Sequence, residues 1–194
     1  MPTILITVCS RGLGLELVRQ YSADVIARLN GSAAFVVLDV ADKSQVAKAA
    51  QEVWGVLDGR PLNILINFAG VFADDLEFRF SVNVTGAHNM IHEFIPLMQD
   101  SKIKKVANVL SIYASMVLAS NTTYARHPAY KISKAALDFL TVYAMGGTNA
   151  DLAVPQGAEA VRHIVASVDQ KENGCFKNIH VPGWDQYNGK DLPW

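Results

Sequence analysis

Cysteine is scarce in this sequence: Cys9 and Cys175 are the only two among 194 residues. Two cysteines are too few for a disulfide framework or a cysteine-based zinc site, which favours a reducing compartment. Neither sign of charge is in excess, because 17 Lys and Arg against 18 Asp and Glu leave a formal net charge of −1. These totals predict no basic surface for nucleic acid.

Long apolar runs are also missing. No stretch reaches the length that a bilayer-spanning helix needs, so we expect no membrane segment. No cationic stretch precedes the apolar residues 1–8, and Arg11 follows soon after them, so we expect no signal peptide. Together these absences predict a cytoplasmic protein.

Apolar side chains, in contrast, are plentiful. Hydrophobic residues make up 51% and charged residues 18% of the 21.1 kDa chain, which predicts one domain, residues 1–194, with a large core. Short β-branched runs alternate with helical patterns, and the run at 33–38 is apolar throughout, as a strand covered on both faces would be. This alternation predicts an α/β fold in which a Rossmann-type, doubly wound parallel sheet forms a single domain.

The order of elements follows from the same patterns. Asp42 and Gln45 form a plausible capping box at the start of a helix that ends near Leu57. Strands are predicted at 4–8, 25–27, 33–38, 63–67, 105–111 and 175–181. Further helices are predicted from the glycines near residue 12 to Tyr21, and at 83–98, 129–141 and 158–168.

Two connections are too short for such a sheet. A crossover between parallel strands needs a dozen or more residues, yet only a few separate the strands predicted at 25–27 and 33–38. The helix predicted at 129–141 runs directly into a strand-like fragment at 142–145 and then into two glycines. We therefore expect that loops are missing near 28/29, between 73 and 78, and near 141/142 and 145/146, and that the native protein is heavier than 21.1 kDa.

A glycine-rich loop joins the first predicted strand to the first predicted helix. There, backbone N–H groups and a helix N-terminus can receive a pyrophosphate, and Gly12 and Gly14 present no Cβ atoms to keep it away. The loop predicts dinucleotide binding. An ordinary turn between strand and helix is the alternative.

Tyr130 and Lys134 are four residues apart in a predicted helix, so their side chains share one face. A cation beside a phenol stabilises the phenolate, and the pair therefore predicts a tyrosine with a lowered pKa that serves as an acid or base. No other tyrosine in the chain has a lysine four residues later. Two unrelated residues on a helix surface are the alternative.

Six short motifs follow one another at predicted strand ends and helix starts: Thr7 with Gly12-Leu13-Gly14, Asp39-Val40, Asn67-Phe68-Ala69-Gly70, Asn83-Val84-Thr85-Gly86, Asn108-Val109-Leu110-Ser111 and Tyr130-Lys131-Ile132-Ser133-Lys134. In this order they resemble the short-chain dehydrogenase/reductase family over nearly the whole chain. The terminal Asp191-Leu192-Pro193-Trp194 is similar to the carbonyl reductase branch that includes the Sniffer and C-factor-like proteins.

The resemblance implies a carbonyl reductase or alcohol dehydrogenase that acts on a small or medium ketone or aldehyde. Tyr130 would protonate the carbonyl oxygen while a nicotinamide delivers hydride to carbon, and Ser111 would hold that oxygen by a hydrogen bond. Lys134 would bind the nicotinamide ribose and lower the Tyr130 pKa. Asn83 would support Lys134 through a water molecule and complete a proton relay.

The resemblance also implies a set of cofactor contacts. Asp39 would bond the adenine amine, although it could instead be a helix-entry residue, and Val40 would flank the adenine ring. The loop after the first strand would hold the phosphates, and the motif after the fourth predicted strand would pass the adenosine ribose. The full set is Thr7, Ser10, Arg11, Gly12, Leu13, Gly14, Arg28, Asp39, Val40, Asn67, Ala69, Gly70, Tyr130 and Lys134.

Charge decides which dinucleotide is expected. Arg11 and Arg28 lie where a ribose 2′-phosphate would be, and no acidic residue ends the strand predicted at 25–27 to bind a 2′-hydroxyl. We expect NADP(H) to be preferred, with NAD(H) possible. Two solvated surface arginines are the alternative.

The chain departs from the family pattern at three places. Val8 replaces the first glycine of the loop, and a β-branched residue tolerates unusual turn torsions poorly. Ser111 and Tyr130 are 19 residues apart (130 − 111), which predicts an extra loop at 119–128 near the substrate, where Tyr124 and His127 either shape specificity or are simply exposed. No Pro-Gly segment follows Met145.

The sequence also bears on metal binding, on oligomeric state and on whether the protein is an enzyme at all. His88 and His92, with Glu93, lack a third ligand at a recognisable spacing, so we expect no metal site. Family members often pair through the helices that correspond to 88–98 and 129–141, so a homodimer or homotetramer is possible. The alternative to an enzyme is a non-catalytic regulatory or binding protein that keeps the fold, an interpretation motivated by Val8 and the short connections.

Overall fold

A computed structural model describes residues 2–7, 12–29, 34–122, 127–138, 154–172 and 175–193. Its strands are β1 (Ile4–Ile6), β2 (Ile64–Asn67) and β3 (Lys105–Asn108). Its α-helices are α1 (Gly12–Leu29), α2 (Lys43–Leu57), α3 (Leu76–Phe80), α4 (Ala87–Phe94), α5 (Pro128–Asp138) and α6 (Val154–Ser167). A π-helical turn, Ser81–Gly86, joins α3 to α4. Single 3-10 turns occur at Ile95–Met98, Ile112–Ala114, Ala119–Thr122 and Gln170–Glu172.

The three strands form one parallel sheet in the order β1-β2-β3. Leu5 pairs with Leu65, and Leu65 pairs with Val106. Side chains of a strand alternate between the two faces, so each strand contributes to two cores. The parallel sheet and its helices confirm the α/β fold expected from the sequence.

One core lies between one face of the sheet and helices α1 and α6. Ile64 and Ile66 of β2 pack there with Leu17 of α1 and with Val161 and Val165 of α6. The opposite face carries a second core, in which Leu65 packs with side chains of α2 and α4: Val46, Val53, Met90 and Phe94. A sheet covered by helices on both faces is the doubly wound arrangement.

Helix α2 begins as the capping pattern predicts. Asp42 Oδ1 accepts hydrogen bonds from Ser44 N and Gln45 N, and Gln45 Nε2 donates to Asp42 Oδ2. In a capping box Gln45 would accept from the N–H of the cap residue, Asp42. Here Gln45 Oε1 instead accepts from the N–H of Asp39, three residues before the cap. Ser44 Oγ also donates to Asp42 Oδ1 at 2.8 Å, and this side-chain bond, followed by the bonds from Gln45, lowers the pKa of the Asp42 carboxyl to about 2.

Two predicted strands are wrong. Residues 25–27 belong to α1, which continues to Leu29, because a run of three apolar residues has no period that separates strand from helix. Residues 34–38 pair with no strand of the described sheet; Val36 and Leu38 face the second core, whereas Phe35 and Val37 are exposed. The chain there alternates between core and solvent, so it is covered on one face only.

The C-terminal strand predicted at 175–181 is also wrong. This segment contains only two isolated antiparallel bridges, from Lys177 to Asp191 and from His180 to Asn188. Its apolar side chains still enter the cores, since Ile179 and Val181 are buried beside α6. The strand predicted at 105–111 ends earlier than expected, at Asn108.

The remaining helices agree with the sequence apart from their ends. The helical stretch that contains Asn83 begins earlier than predicted, at Leu76, because Asp75 Oδ1 accepts a hydrogen bond from Phe78 N and caps it. Loops were proposed to be missing at four places. Between 73 and 78 the chain forms the capped start of α3, and residues 28 and 29 are the last two residues of α1. The points 141/142 and 145/146 lie outside the described residues. No helix in the described ranges is both long and apolar enough to cross a membrane.

Candidate active site

The candidate site lies at the carboxyl ends of β1, β2 and β3, where loops leave the sheet on the same side. Thr7 fastens two of these loops: its Oγ1 accepts hydrogen bonds from Phe68 N at 2.8 Å and from Ala69 N at 2.9 Å. The loop that follows β2 is therefore fixed directly to the end of β1. The Thr7 side chain thus fixes the backbone at the carboxyl ends of β1 and β2, the part of the sheet where the cofactor is predicted to bind and which we call the cofactor edge.

Asn83 connects the loop after β2 to α5. It is fully buried, its Oδ1 accepts from Val71 N at 2.8 Å, and its Nδ2 donates to Val71 O at 3.3 Å and to Ser133 Oγ at 3.1 Å. Ser133 Oγ in turn donates to Tyr130 O at 3.0 Å. Asn83 therefore holds together two segments that carry predicted site residues.

Gly70 lies between Asn83 and Lys134. A Cβ built on Gly70 would be 3.4 Å from Lys134 Nζ and 3.5 Å from Asn83 Oδ1. The absence of a side chain there leaves both polar groups next to the open loop. Lys134 Nζ and Asn83 Oδ1, which the resemblance links through a water molecule, therefore both lie next to Gly70. The water-mediated link itself stays a prediction.

Lys134 is buried in α5, with 5% of its surface exposed. Its Nζ donates to Val109 O at 2.9 Å, and burial lowers its pKa to about 8. The ammonium lies 6.0 Å from the centre of the Tyr130 ring. An ordinary lysine stays charged far above neutral pH, whereas this one exchanges a proton near pH 8.

Tyr130 and Ser111 form a side-chain hydrogen bond. Burial raises the pKa of Tyr130 above its usual 10, and the bond to Ser111 and the charge of Arg79 lower it by less. The expectation of a lowered Tyr130 pKa is therefore wrong for this structure. The spacing of Tyr130 and Lys134 shows that a cation is near, but it does not show how much water the phenol loses.

Arg79 is part of the site although the sequence did not single it out. It is completely buried, and its guanidinium carbon lies 4.8 Å from the centre of the Phe72 ring and 5.5 Å from that of Tyr130. A signal was available, because Arg79 precedes Asn83 by four residues and so shares a helix face with it. The later helix start that we predicted hid this relation.

The rings of His127 and Phe72 lie on one side of Tyr130. Their ring centres are 4.5 Å apart in an edge-on arrangement, and Phe72 is 5.0 Å from Tyr130. His127 thus contacts Phe72 beside Tyr130, and its effect on specificity stays a prediction. Tyr124, the other loop residue considered, lies outside the described residues.

The cofactor edge has features that fit a dinucleotide. Gly12 opens α1 with a φ of +59°, a conformation that favours glycine, and no atom of the described residues lies within 4 Å of a Cβ built there. Asn67 is buried, its Nδ2 donates to Asn108 Oδ1 at 2.9 Å, and its Oδ1 has no hydrogen-bond partner among the described residues. An open helix start and an unused buried acceptor suit a bound polar group.

Asp39 and Val40 are already engaged within the protein. Asp39 Oδ1 accepts from Ala41 N at 2.9 Å, which fits the helix-entry alternative, and the adenine contact stays a prediction. Val40 is 8% exposed and packs so tightly on Gly86 that a Cβ there would come within 2.6 Å of Val40 Cγ2.

Several predicted cofactor residues cannot be placed. Ser10 and Arg11 lie outside the described residues, as does Val8, and the side chains of Leu13 and Arg28 are likewise not described. Gly14 is buried in α1, while Ala69 and Gly70 border the open loop after β2.

The histidine pair on α4 lies on the surface. The rings of His88 and His92 are 6.2 Å apart, and His92 Nδ1 is 3.1 Å from Glu93 Oε1. In the described part of the chain, no group of three or more His, Cys, Asp and Glu side chains is arranged to hold a metal ion.

Comparison with known proteins places this geometry in context. Residues 22–146 match the short chain dehydrogenase family. The short chain dehydrogenase virK of Hypocrea virens is 30% identical over 176 residues, a match that covers 71% of this chain and 65% of that relative's length.

Solved structures share the fold. The NADPH-bound carbonyl reductase from chicken fatty liver superimposes with a TM-score of 0.83 at 20% identity, covering 100% of this chain and 99% of its own. The carbonyl reductase Sniffer of D. melanogaster gives a TM-score of 0.77 at 24% identity, with 100% of both chains covered. At such identities the likeness establishes the fold alone.

Proposed function

Because the chain belongs to the short-chain dehydrogenase/reductase family, we propose that it is an NADP(H)-dependent oxidoreductase that reduces a small or medium ketone or aldehyde, or oxidises the corresponding alcohol. The observation that carries this proposal is the hydrogen bond between Ser111 and Tyr130 next to the buried ammonium of Lys134. The chain spans 65% of the curated relative's length, so the activity is inferred from these residues.

Tyr130 is the proposed proton donor. Burial raises the pKa of Tyr130, so the phenol stays protonated at neutral pH and can give its proton to a carbonyl oxygen. Ser111, which already bonds the Tyr130 side chain, would donate to the same oxygen and polarise the carbonyl. The bound nicotinamide would supply the hydride for the carbon, and hydride and proton together convert the carbonyl to an alcohol.

Lys134 and Asn83 are proposed to restore the proton of Tyr130. With a pKa of about 8, the Lys134 ammonium can lose and regain a proton near neutral pH. Asn83 Oδ1 and Lys134 Nζ both border Gly70, where a water molecule between them would join a relay. Lys134 would also bind the ribose of the nicotinamide nucleotide.

The cofactor is proposed to be NADP(H), with NAD(H) possible. The N-terminus of α1 would receive the phosphates through Gly12 and its neighbours, and the unused Oδ1 of Asn67 would face the bound nucleotide. Arg11 and Arg28 would bind the 2′-phosphate. The NADPH in the chicken carbonyl reductase supports this preference.

Tyr130→Phe tests the proposal. The variant lacks the transferable proton, so we expect carbonyl reduction to fall about a hundredfold to ten-thousandfold. NADPH binding, followed by the fluorescence of the chain's 3 tryptophans, should persist. Tyr187→Phe is the control: it removes a hydroxyl from a buried tyrosine in the core between the sheet and α6, and should leave the rate unchanged.

Two outcomes would contradict the proposal in different ways. Unchanged turnover in Tyr130→Phe would exclude Tyr130 as the proton donor. Absence of any saturable fluorescence change with NADPH in the wild type would favour the non-catalytic binding protein considered from the sequence.

A further inference from the structure

Arg79 carries a charge that the described structure compensates poorly. Its side chain is completely buried, and its Nε and Nη1 atoms have no hydrogen-bond partner in the part of the chain that the structure describes. Its ion-pair partner is Asp74, at 3.8 Å from Nη2, and that carboxylate is fully exposed to water. A buried charge with so few partners is costly unless the charge has a use.

The guanidinium instead faces two aromatic rings. It lies 4.8 Å from the centre of Phe72 and 5.5 Å from that of Tyr130, distances at which a cation is attracted to a ring face. Phe72 and Tyr130 also contact each other at 5.0 Å. Arg79, the partly exposed Phe72 and the proposed proton donor Tyr130 therefore contact one another from three different segments.

We propose that Arg79 is a positioning residue for Tyr130: its buried guanidinium holds the phenol ring in place and stabilises the phenolate formed when Tyr130 gives up its proton. This inference rests on the proposed function only in taking Tyr130 as the proton donor. The proton moves from Tyr130 Oη to the carbonyl oxygen, and the negative charge left on Oη then lies beside a permanent positive charge.

Arg79 differs from Lys134 in how its charge depends on pH. Burial lowers the pKa of Lys134 to about 8, so its ammonium is neutralised above that pH, whereas a guanidinium stays protonated. Arg79 therefore continues to favour the phenolate when Lys134 has lost its charge. The other titratable or charged groups near Tyr130 in the described ranges are His127 before α5, Lys131 on α5, Asp74 beside Arg79, and Tyr113 after β3, at 6.4 Å.

The test is a direct titration of Tyr130 without cofactor. Incorporating fluorotyrosine, whose hydroxyl ionises at lower pH than that of tyrosine, lets fluorine NMR follow each tyrosine while the chain is folded. Comparison with Tyr130→Phe identifies the Tyr130 resonance. In Arg79→Met, which removes the charge and keeps an apolar chain, we expect the Tyr130 midpoint to rise by about one pH unit or more.

Two variants separate charge from packing. Arg79→Lys keeps a cation. As long as that lysine is charged, the Tyr130 midpoint should lie closer to the wild-type value than it does in Arg79→Met. Lys131→Met removes a cation adjacent to Tyr130 in sequence, but its Nζ lies over the Tyr113 ring at 5.7 Å, so the Tyr130 midpoint should hardly move.

An unchanged midpoint in folded Arg79→Met, with the other tyrosine resonances in place, would overturn the proposal. If that variant does not fold, Asp74→Asn decides, because this exposed substitution removes the negative charge that offsets Arg79. We expect it to lower the Tyr130 midpoint slightly, and a rise or no change would contradict the role of Arg79. These titrations need no turnover, so failure of the proposed function would be seen separately.

Discussion

Asp138 shows how burial changes one residue's contribution to stability. It is 3% exposed near the end of α5, and burial raises its pKa from 3.8 to about 6. Between these values the folded chain binds more protons than the unfolded chain, so stability falls as pH rises through this window. Well above pH 6 the full cost of the buried carboxylate is present.

We therefore expect Asp138→Asn to stabilise the protein at neutral pH. The neutral amide avoids the cost of burying the carboxylate, and the gain should be about 2 kcal/mol in the free energy of unfolding. Urea denaturation of both proteins at neutral pH and near pH 4 measures it, because the advantage should nearly vanish in acid. An equal difference at both pH values would mean that the Asp138 charge is not its source.

The residues of the site divide into those that spacing reveals and those that burial decides. The four-residue interval between Tyr130 and Lys134 correctly placed both on one helix face. The direction of the Tyr130 pKa was predicted wrongly, because desolvation depends on the segments that cover the ring. Arg79 was missed for a related reason: its importance comes from contacts with Phe72 and Tyr130, which are distant in sequence.

At the scale of an element, replacing two helical glycines by alanine is expected to change the free energy of unfolding in opposite directions. Gly86 ends the π-helical turn before α4, and a Cβ there would lie 2.6 Å from Val40 Cγ2, so Gly86→Ala must displace a buried side chain. Gly55 lies within α2, and a Cβ there meets nothing within 4 Å.

We expect Gly86→Ala to lower the free energy of unfolding by about 1–3 kcal/mol. Gly55→Ala is the matched control and should raise it by about 0.5–1 kcal/mol, since alanine loses less backbone entropy in a helix. Urea midpoints of the two variants give both values. Stabilisation by both substitutions would contradict this prediction, because it would mean that the Val40 side chain can move away from the added methyl group without destabilising the fold.

Elements whose apolar residues have a clear period were predicted well, and short apolar runs were not. Helix α2 has both a cap at Asp42 and buried residues at helical spacing, and the structure confirms it. The runs at 25–27 and 34–38 have similar composition, yet one lies in α1 and the other joins no described strand. Pairing with a neighbouring strand is a property of the sheet, so a single run cannot reveal it.

At the scale of the whole molecule, the sheet unites both cores with the site. Leu65 of β2 enters the core beside α2 and α4, its neighbours Ile64 and Ile66 enter the core beside α1 and α6, and the next residue, Asn67, reaches the proposed cofactor edge. A ligand at that edge therefore contacts residues fixed by both cores. Binding there should stabilise the fold as a unit.

NADPH is thus expected to raise the Tm of the entire chain. A ligand that binds only the folded state stabilises it by about 2.7 kcal/mol at a hundred times its Kd. At equal concentration NADPH should raise the Tm more than NADH, and Arg28→Gln should reduce the shift with NADPH while leaving that with NADH unchanged. Differential scanning fluorimetry measures these shifts, with Tyr130→Phe as a variant that should retain them. Equal shifts with both nucleotides would contradict the preference for NADP(H), and no shift with either would contradict dinucleotide binding itself.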